Sequence, residues 1–194
     1  MARAAEFDRD QVIEKAMDVF WTKGYHATSM SDLKKAMGLQ PGSIYGAFGS
    51  KNELFLDCLE HYSARAKARF DEISRSSAAQ REAFGKIYDS MISQMISNEP
   101  CRGCLMINSL VELAALEHSG GKAARKYLKR NQKFFENMLK KAADSGELKS
   151  ERSIEELAVF LMGTVFSLRV MGKAKVGRAA LESVREQALD QVFG

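Results

Sequence analysis

The sequence predicts an all-α protein of about nine helices, and three observations carry that prediction. Apolar residues recur at three- and four-residue spacing along almost the whole chain, which is the period of an amphipathic helix. The composition is rich in Ala, Leu, Met, Lys and Glu, and only 2 of 194 residues are proline. No strongly alternating stretch of strand type stands out. A hydrophobic share of 45% supports a buried core and sets the chain apart from disordered sequences.

The first helix is expected from about Asp8 to Lys23, with Val12, Ile13, Ala16, Met17, Val19 and Phe20 as its apolar stripe and Gly24 as its stop. A short second helix follows from about Ser31 to Met37, with Thr28 or Ser29 as cap and Gly38 as terminator. Pro41 suits the first turn of a third short helix, because proline has no N–H to lose there. That helix holds Ser43, Ile44 and Tyr45 and ends near Gly49. Ser50-Lys51-Asn52-Glu53 reads as a capping box that opens a long fourth helix. Two short helices joined by Gly38-Leu39-Gln40 form the pattern of a helix-turn-helix.

Five more helices follow. Phe84, Ile87, Tyr88, Met91 and Met95 mark the fifth, and Asn98-Glu99-Pro100 breaks it from the sixth, Leu105 to Leu116. Tyr127, Leu128, Phe134, Phe135, Met138 and Leu139 mark the seventh, bounded by Gly120-Gly121 and Gly146. The eighth, about Ile154 to Met171, is apolar nearly all round and must be covered on two sides. The ninth, about Gly177 to Phe193, carries a narrow seam of Leu181, Val184, Ala188 and Val192. A four-helix bundle made by these two helices from each of two chains would cover both, so a homodimer through the last two helices is expected. The chain divides accordingly into residues 1–50, a three-helix head, and residues 51–194, a larger helical body.

Charge says little about partners. The net charge is +4, and across residues 1–51 seven Lys and Arg face six Asp and Glu. The N-terminus MARAAEFDRD lacks the apolar core of a secretory signal. The longest apolar run, Leu157–Met171, is too short to span a bilayer and contains Arg169, so no membrane partner is expected. Three cysteines, an odd number, point to a reducing cytoplasm. The Lys/Arg run from Lys122 to Lys133 reads as a solvated helix face.

Residues 20–55, FWTKGYHATSMSDLKKAMGLQPGSIYGAFGSKNELF, resemble the TetR family of transcriptional regulators. The matching residues are Gly24-Tyr25, Thr28, Gly38-Leu39, Tyr45, Phe48, Lys51 and Leu54. The resemblance implies a ligand-responsive dimeric regulator, more often a repressor, whose third helix enters the major groove of a palindromic operator in double-stranded DNA. It places Gln40, Pro41, Gly42 and Ser43 against base edges, the Tyr45 hydroxyl at a phosphate, and Lys51, Thr28 and Ser29 at phosphates near helix N-termini. Ile44 and Phe48 are expected to face inward and lock the three helices together. An effector, an unknown small molecule, would bind in the larger domain and change the separation of the paired reading helices.

Pro100-Cys101-Arg102-Gly103-Cys104 precedes the sixth helix. A thiol near a helix N-terminus and beside an arginine is a candidate sensor of oxidants or electrophiles, and Gly103-Cys104-Leu105-Met106 looks like cysteine-sensing members of the family. The plain alternative is a small buried hydrophobe, the role expected of Cys58. A structural zinc site needs about four ligands, and there is no second CxxC, so no metal and no cofactor is expected. No catalytic set has a defensible spacing, and the chain is not expected to be an enzyme. Two alternatives stand beside the regulator: a thiol redox enzyme using Cys101 and Cys104, which lacks the βαβ surroundings of a thioredoxin-like motif, and a helical protein–protein adaptor.

Overall fold

The computed structural model describes residues 7–97, 101–116 and 118–194. Among them are nine α-helices, one 3-10 turn and no strand. The expected break at Asn98-Glu99-Pro100 lies outside the described residues. The chain forms two compact units, one of Met1–Arg65 with Leu105–Lys126, the other of Ala66–Cys104 with Tyr127–Gly194.

The first unit starts with α1 (Arg9–Lys23), whose N-cap Asp8 accepts from the amides of Asp10 and Gln11. Val12, Ile13, Ala16, Met17 and Phe20 are buried. Then comes α2 (Met30–Met37), capped reciprocally by Ser29 and Asp32 and ended by Gly38 at φ 71°. Of the two expected caps, Ser29 performs the role. Next is α3 (Pro41–Phe48), with Pro41 in its first turn and Ile44 and Phe48 buried as expected. The long α4 (Lys51–Ser76) starts where the Ser50 Oγ accepts from the Glu53 amide at 3.1 Å. Leu54, Phe55, Cys58 and Leu59 on α4 are buried, and the Phe55 ring packs on Phe20 at 4.9 Å between centroids.

The same unit takes in α6 (Leu105–Leu113), a 3-10 turn at Ala114–Leu116, and the first turns of α7 (Ser119–Asp144). Gly120-Gly121, expected to precede the seventh helix, lies inside its first turn. The Ser119 hydroxyl donates to Asn52 Oδ1 at 2.7 Å, which ties the start of α7 to the start of α4.

The second unit is built on α5 (Gln80–Ser97), α8 (Ile154–Lys173), α9 (Arg178–Phe193) and the later turns of α7. Ser153 and Glu156 form the capping box of α8. Phe84, Ile87, Tyr88, Met91, Phe135, Leu139, Leu161 and Leu168 fill the core, and the Phe84 and Phe135 rings meet edge to face at 5.0 Å. The buried Tyr88 hydroxyl donates to the Leu161 carbonyl at 3.0 Å. Glu147 accepts from the Gln80 and Arg81 amides and so caps α5.

The seam of α9 is spent inside its own chain. Leu181, Ala188 and Val192 are buried in the core with α5 and α8. On α8, Val159, Phe160 and Val170 are exposed; Val111 on α6 and Ile96 on α5 are exposed as well. Met91, Met95, Met138 and Met162 belong to the same core. On α7, Lys122, Arg125, Lys126, Lys129, Arg130 and Lys133 are all exposed, as a solvated face requires. No described helix is long and apolar enough to cross a membrane.

Candidate nucleic-acid interface

The third helix presents one face to the core and the other to solvent. Ile44 and Phe48, four residues apart, anchor it, and Gln40, Gly42, Tyr45, Gly46 and Ala47 lie on the open side. Tyr45 is 47% exposed, and Pro41 and Ser43 are half-buried. A Cβ added at Gly42 or Gly46 would meet no atom within 4 Å. The fold therefore does not require glycine at either position. Two glycines four residues apart cost an eight-residue helix about 0.8–1.0 kcal/mol each relative to alanine, and they leave its outer surface nearly flat.

The N-terminus of α2 is shaped by Ser29 and Asp32. The Ser29 Oγ accepts from the Asp32 amide at 3.1 Å, and the Ser29 amide donates back to Asp32 Oδ2 at 3.0 Å. Lys23, at the end of α1, reaches Asp32 Oδ1 at 2.5 Å. The Lys23 hydrogen bond, followed by those from Ser29, holds the Asp32 carboxyl well below its usual range. Ser29 is exposed; Thr28 is not. Only 1% of Thr28 is exposed, and its hydroxyl donates to the Gly24 carbonyl at 2.6 Å. The Thr28 side chain, β-branched and beside the cap, thus faces the protein and fastens the loop.

Lys51 is half-buried and lies over an aromatic ring. Its Nζ lies 4.4 Å from the centroid of the Tyr25 ring, and burial pushes its pKa down, with the nearby Glu112 carboxylate opposing. The Tyr25 ring also packs on Phe55 at 4.9 Å and on His118 at 4.4 Å. Glu112 accepts from the Tyr25 amide at 3.0 Å and from the His26 amide at 2.8 Å. Neither Glu112 nor His118 was expected at this site. They come from α6 and from the residue just before α7, far along the chain, and no local pattern marks them.

Among the other expected residues, Cys101 is half-buried and Cys104 is buried, and neither forms a disulfide. Cys104 immediately precedes α6. Cys58 is fully buried as expected, and burial pushes its thiol far up. Among the described residues no group of three or more His, Cys, Asp or Glu side chains gathers as a metal site would.

Residues 12–58 match the family model described as bacterial regulatory proteins, tetR family, and residues 82–188 match that of the tetracyclin repressor-like C-terminal domain. The chain is 29% identical over 174 residues to YezE, an HTH-type transcriptional regulator of Bacillus subtilis, covering 89% of this chain and 90% of that one. It is 27% identical over 160 residues to the transcriptional repressor ComR of Escherichia coli, covering 82% and 76%. Among solved structures it is similar to the regulator CifR, in a cysteine-substituted form bound to a 26-base-pair operator. There the TM-score is 0.85 at 32% identity, over 97% of this chain and 98% of that one.

Proposed function

The chain belongs to the TetR family of bacterial regulators, and from that premise we propose that it acts as a dimeric repressor, released from a palindromic operator by a small-molecule or thiol-reactive effector. As a member of that family it is a DNA-binding transcriptional regulator and not an enzyme.

The observation that carries the DNA-reading assignment is the open face of α3. Tyr45 stands out from a surface that Gly42 and Gly46 keep flat, although nothing in the fold demands those glycines. A groove floor approaching at van der Waals distance would demand them. Gln40, Pro41, Gly42 and Ser43 read base edges in this proposal. Tyr45, Ser29 and the amides at the starts of α2 and α4 bind phosphates. Lys51, on its flexible four-carbon stem, swings off the Tyr25 ring to join them. That CifR is described bound to operator DNA supports the reading.

Residues 1–50 form the reading head in this assignment, and residues 51–194 serve effector binding and dimerisation in the cytoplasm. The exposed stripe of Val159, Phe160 and Val170 on α8 supports a homodimer through the last two helices, with α8 supplying most of the apolar contact. Cys101 and Cys104 are the proposed sensors; the half-buried Cys101 is the one open to attack.

Selection of bound duplexes from a random pool, followed by anisotropy titration, tests the assignment. Lys51→Ala weakens binding to every sequence, whereas Gln40→Ala changes which sequences are preferred. Unchanged affinity and preference in both variants would remove the site from α3 and α4.

A further inference from the structure

Glu112 sits on α6, yet both of its carboxylate oxygens serve the loop between α1 and α2. One accepts from the Tyr25 amide at 3.0 Å, the other from the His26 amide at 2.8 Å. Beside them Gly24 adopts φ 82°, which disfavours any side chain. A Cβ there would stand 2.8 Å from the Glu112 carboxylate, so the glycine also makes room for the acid.

The loop that Glu112 holds sets the start of α2. The Gly24 carbonyl accepts from Thr28 Oγ1, and Ser29, the next residue, caps α2. From α2 the chain passes through Gly38 to α3. The same carboxylate is close enough to Lys51 to oppose the fall in that amine's pKa. Charge-assisted hydrogen bonds to backbone amides are short and directional, so they fix position and not merely proximity.

Resting on the assignment of α2 and α3 as the reading head, we infer that Glu112 is a positioning residue for sequence-specific DNA binding. It makes no contact with DNA itself. It holds the α1–α2 loop so that α2 and α3 enter the groove in register, and it sets where Lys51 rests before that amine meets a phosphate. Base readout depends on register to within a hydrogen-bond length; attraction to phosphates does not. The consequence is a separation of the two kinds of binding. Because α6 begins at the residue after Cys104, any displacement of α6 also pulls on these two hydrogen bonds.

Glu112→Ala and Glu112→Gln are compared with the wild type for affinity to a duplex selected by the wild type and to a scrambled duplex. Hydrogen exchange at the amides of Tyr25 and His26 and the melting temperature are recorded in the absence of DNA. The alanine variant is expected to lose about tenfold or more in affinity for the selected duplex, as removal of a charged hydrogen-bond acceptor implies. Affinity for the scrambled duplex stays level or rises, since a negative charge beside Lys51 has gone. Exchange at the two amides accelerates. Glutamine keeps one acceptor and falls between. Equal losses on both duplexes that follow a lowered melting temperature would show a structural role only and overturn the inference. So would unchanged exchange at both amides. A wild type that does not distinguish the two duplexes would instead sink the DNA-reading assignment, and the exchange rates would still decide whether Glu112 holds the loop.

Discussion

Gly120 lies so close to Phe55 that a Cβ on it would stand 2.6 Å from the ring edge and 2.9 Å from Leu113 Cδ1. The glycine is in the first turn of α7, where alanine would be the better helix former by about 0.8–1.0 kcal/mol. The obstacle is not a flexible side-chain tip but a buried aromatic ring packed on Phe20. Overpacking such a site costs about 1–3 kcal/mol, which exceeds the propensity gain. Gly120→Ala is therefore expected to lower stability in urea titration, and a more stable variant would show that α7 is free to move off Phe55.

Gly46→Ala has the opposite sign. The position is in the middle of α3, with open space above it and no positive φ. Alanine should stabilise the protein by up to about 1 kcal/mol. The added methyl group then stands on the face proposed to enter the major groove. Tighter folding with weaker operator binding is the expected pair of results. Operator affinity equal to that of the wild type would mean that α3 does not approach DNA along this face.

Those two glycines also show what the sequence makes legible. Ile44 and Phe48 are identified as inward-facing by spacing alone, because a helix with two apolar residues four apart has one place to put them. The helix order follows from caps and terminators such as Ser29, Gly38 and Ser153. Gly120-Gly121, in contrast, reads as a boundary because glycine usually breaks helices, whereas here the ring of Phe55 requires it. Thr28 and Ser29 are equivalent caps on paper; only the Gly24 carbonyl decides which of them turns inward. Glu112 carries no sequence signal for its task, since its partners are backbone amides 86 and 87 residues away.

Acid should loosen the same corner of the molecule. Burial against Tyr25 is the main cause that lowers the pKa of His118; His26 adds to it, Lys51 contributes in the same direction, and Glu112 opposes. The neutral ring is thus favoured by folding, and its Nδ1 accepts from the Gly120 amide at 3.0 Å. Below the unfolded-state value of about 6.5 the unfolded chain takes the proton first. The stability contribution is present above that pH and is lost as pH falls through the lower folded value. His118→Asn keeps an acceptor at the same place without titrating. Its stability should fall less between about pH 7 and about pH 5, a window that spans the ordinary histidine value, than that of the wild type, as read from urea midpoints. Parallel pH profiles for the two proteins would exclude His118 as the titrating group.

The three thiols should react in order of access. Cys101 is half-buried, Cys104 is 6% exposed, and Cys58 is sealed, with its thiol held protonated by burial. Alkylation of the native protein followed by peptide mapping is expected to label Cys101 first and Cys58 only after unfolding. Oxidant treatment should weaken operator binding in the wild type and not in Cys101→Ser. Early labelling of Cys58 would mean that the first unit opens far more readily than its packing implies.

The stripe on α8 tests the dimer. Val159, Gly163, Phe166 and Val170 recur at four-, three- and four-residue steps on α8, and Val159 and Val170 are exposed, Val170 to 62%, while Leu157, Leu161 and Leu168 face the core. On a lone chain, Val170→Arg is a surface change and should shift stability by no more than about 0.5 kcal/mol. In a dimer packed through α8 the guanidinium is buried opposite its own copy, where two like charges face each other across a two-fold axis and neither has a partner. The variant is therefore expected to run at single-chain mass in light scattering while keeping its helical content by circular dichroism. It should also lose operator affinity, because two linked heads bind a palindrome far more tightly than one. A wild type that is already monomeric at micromolar concentration, or a variant that remains dimeric, would take the interface away from α8.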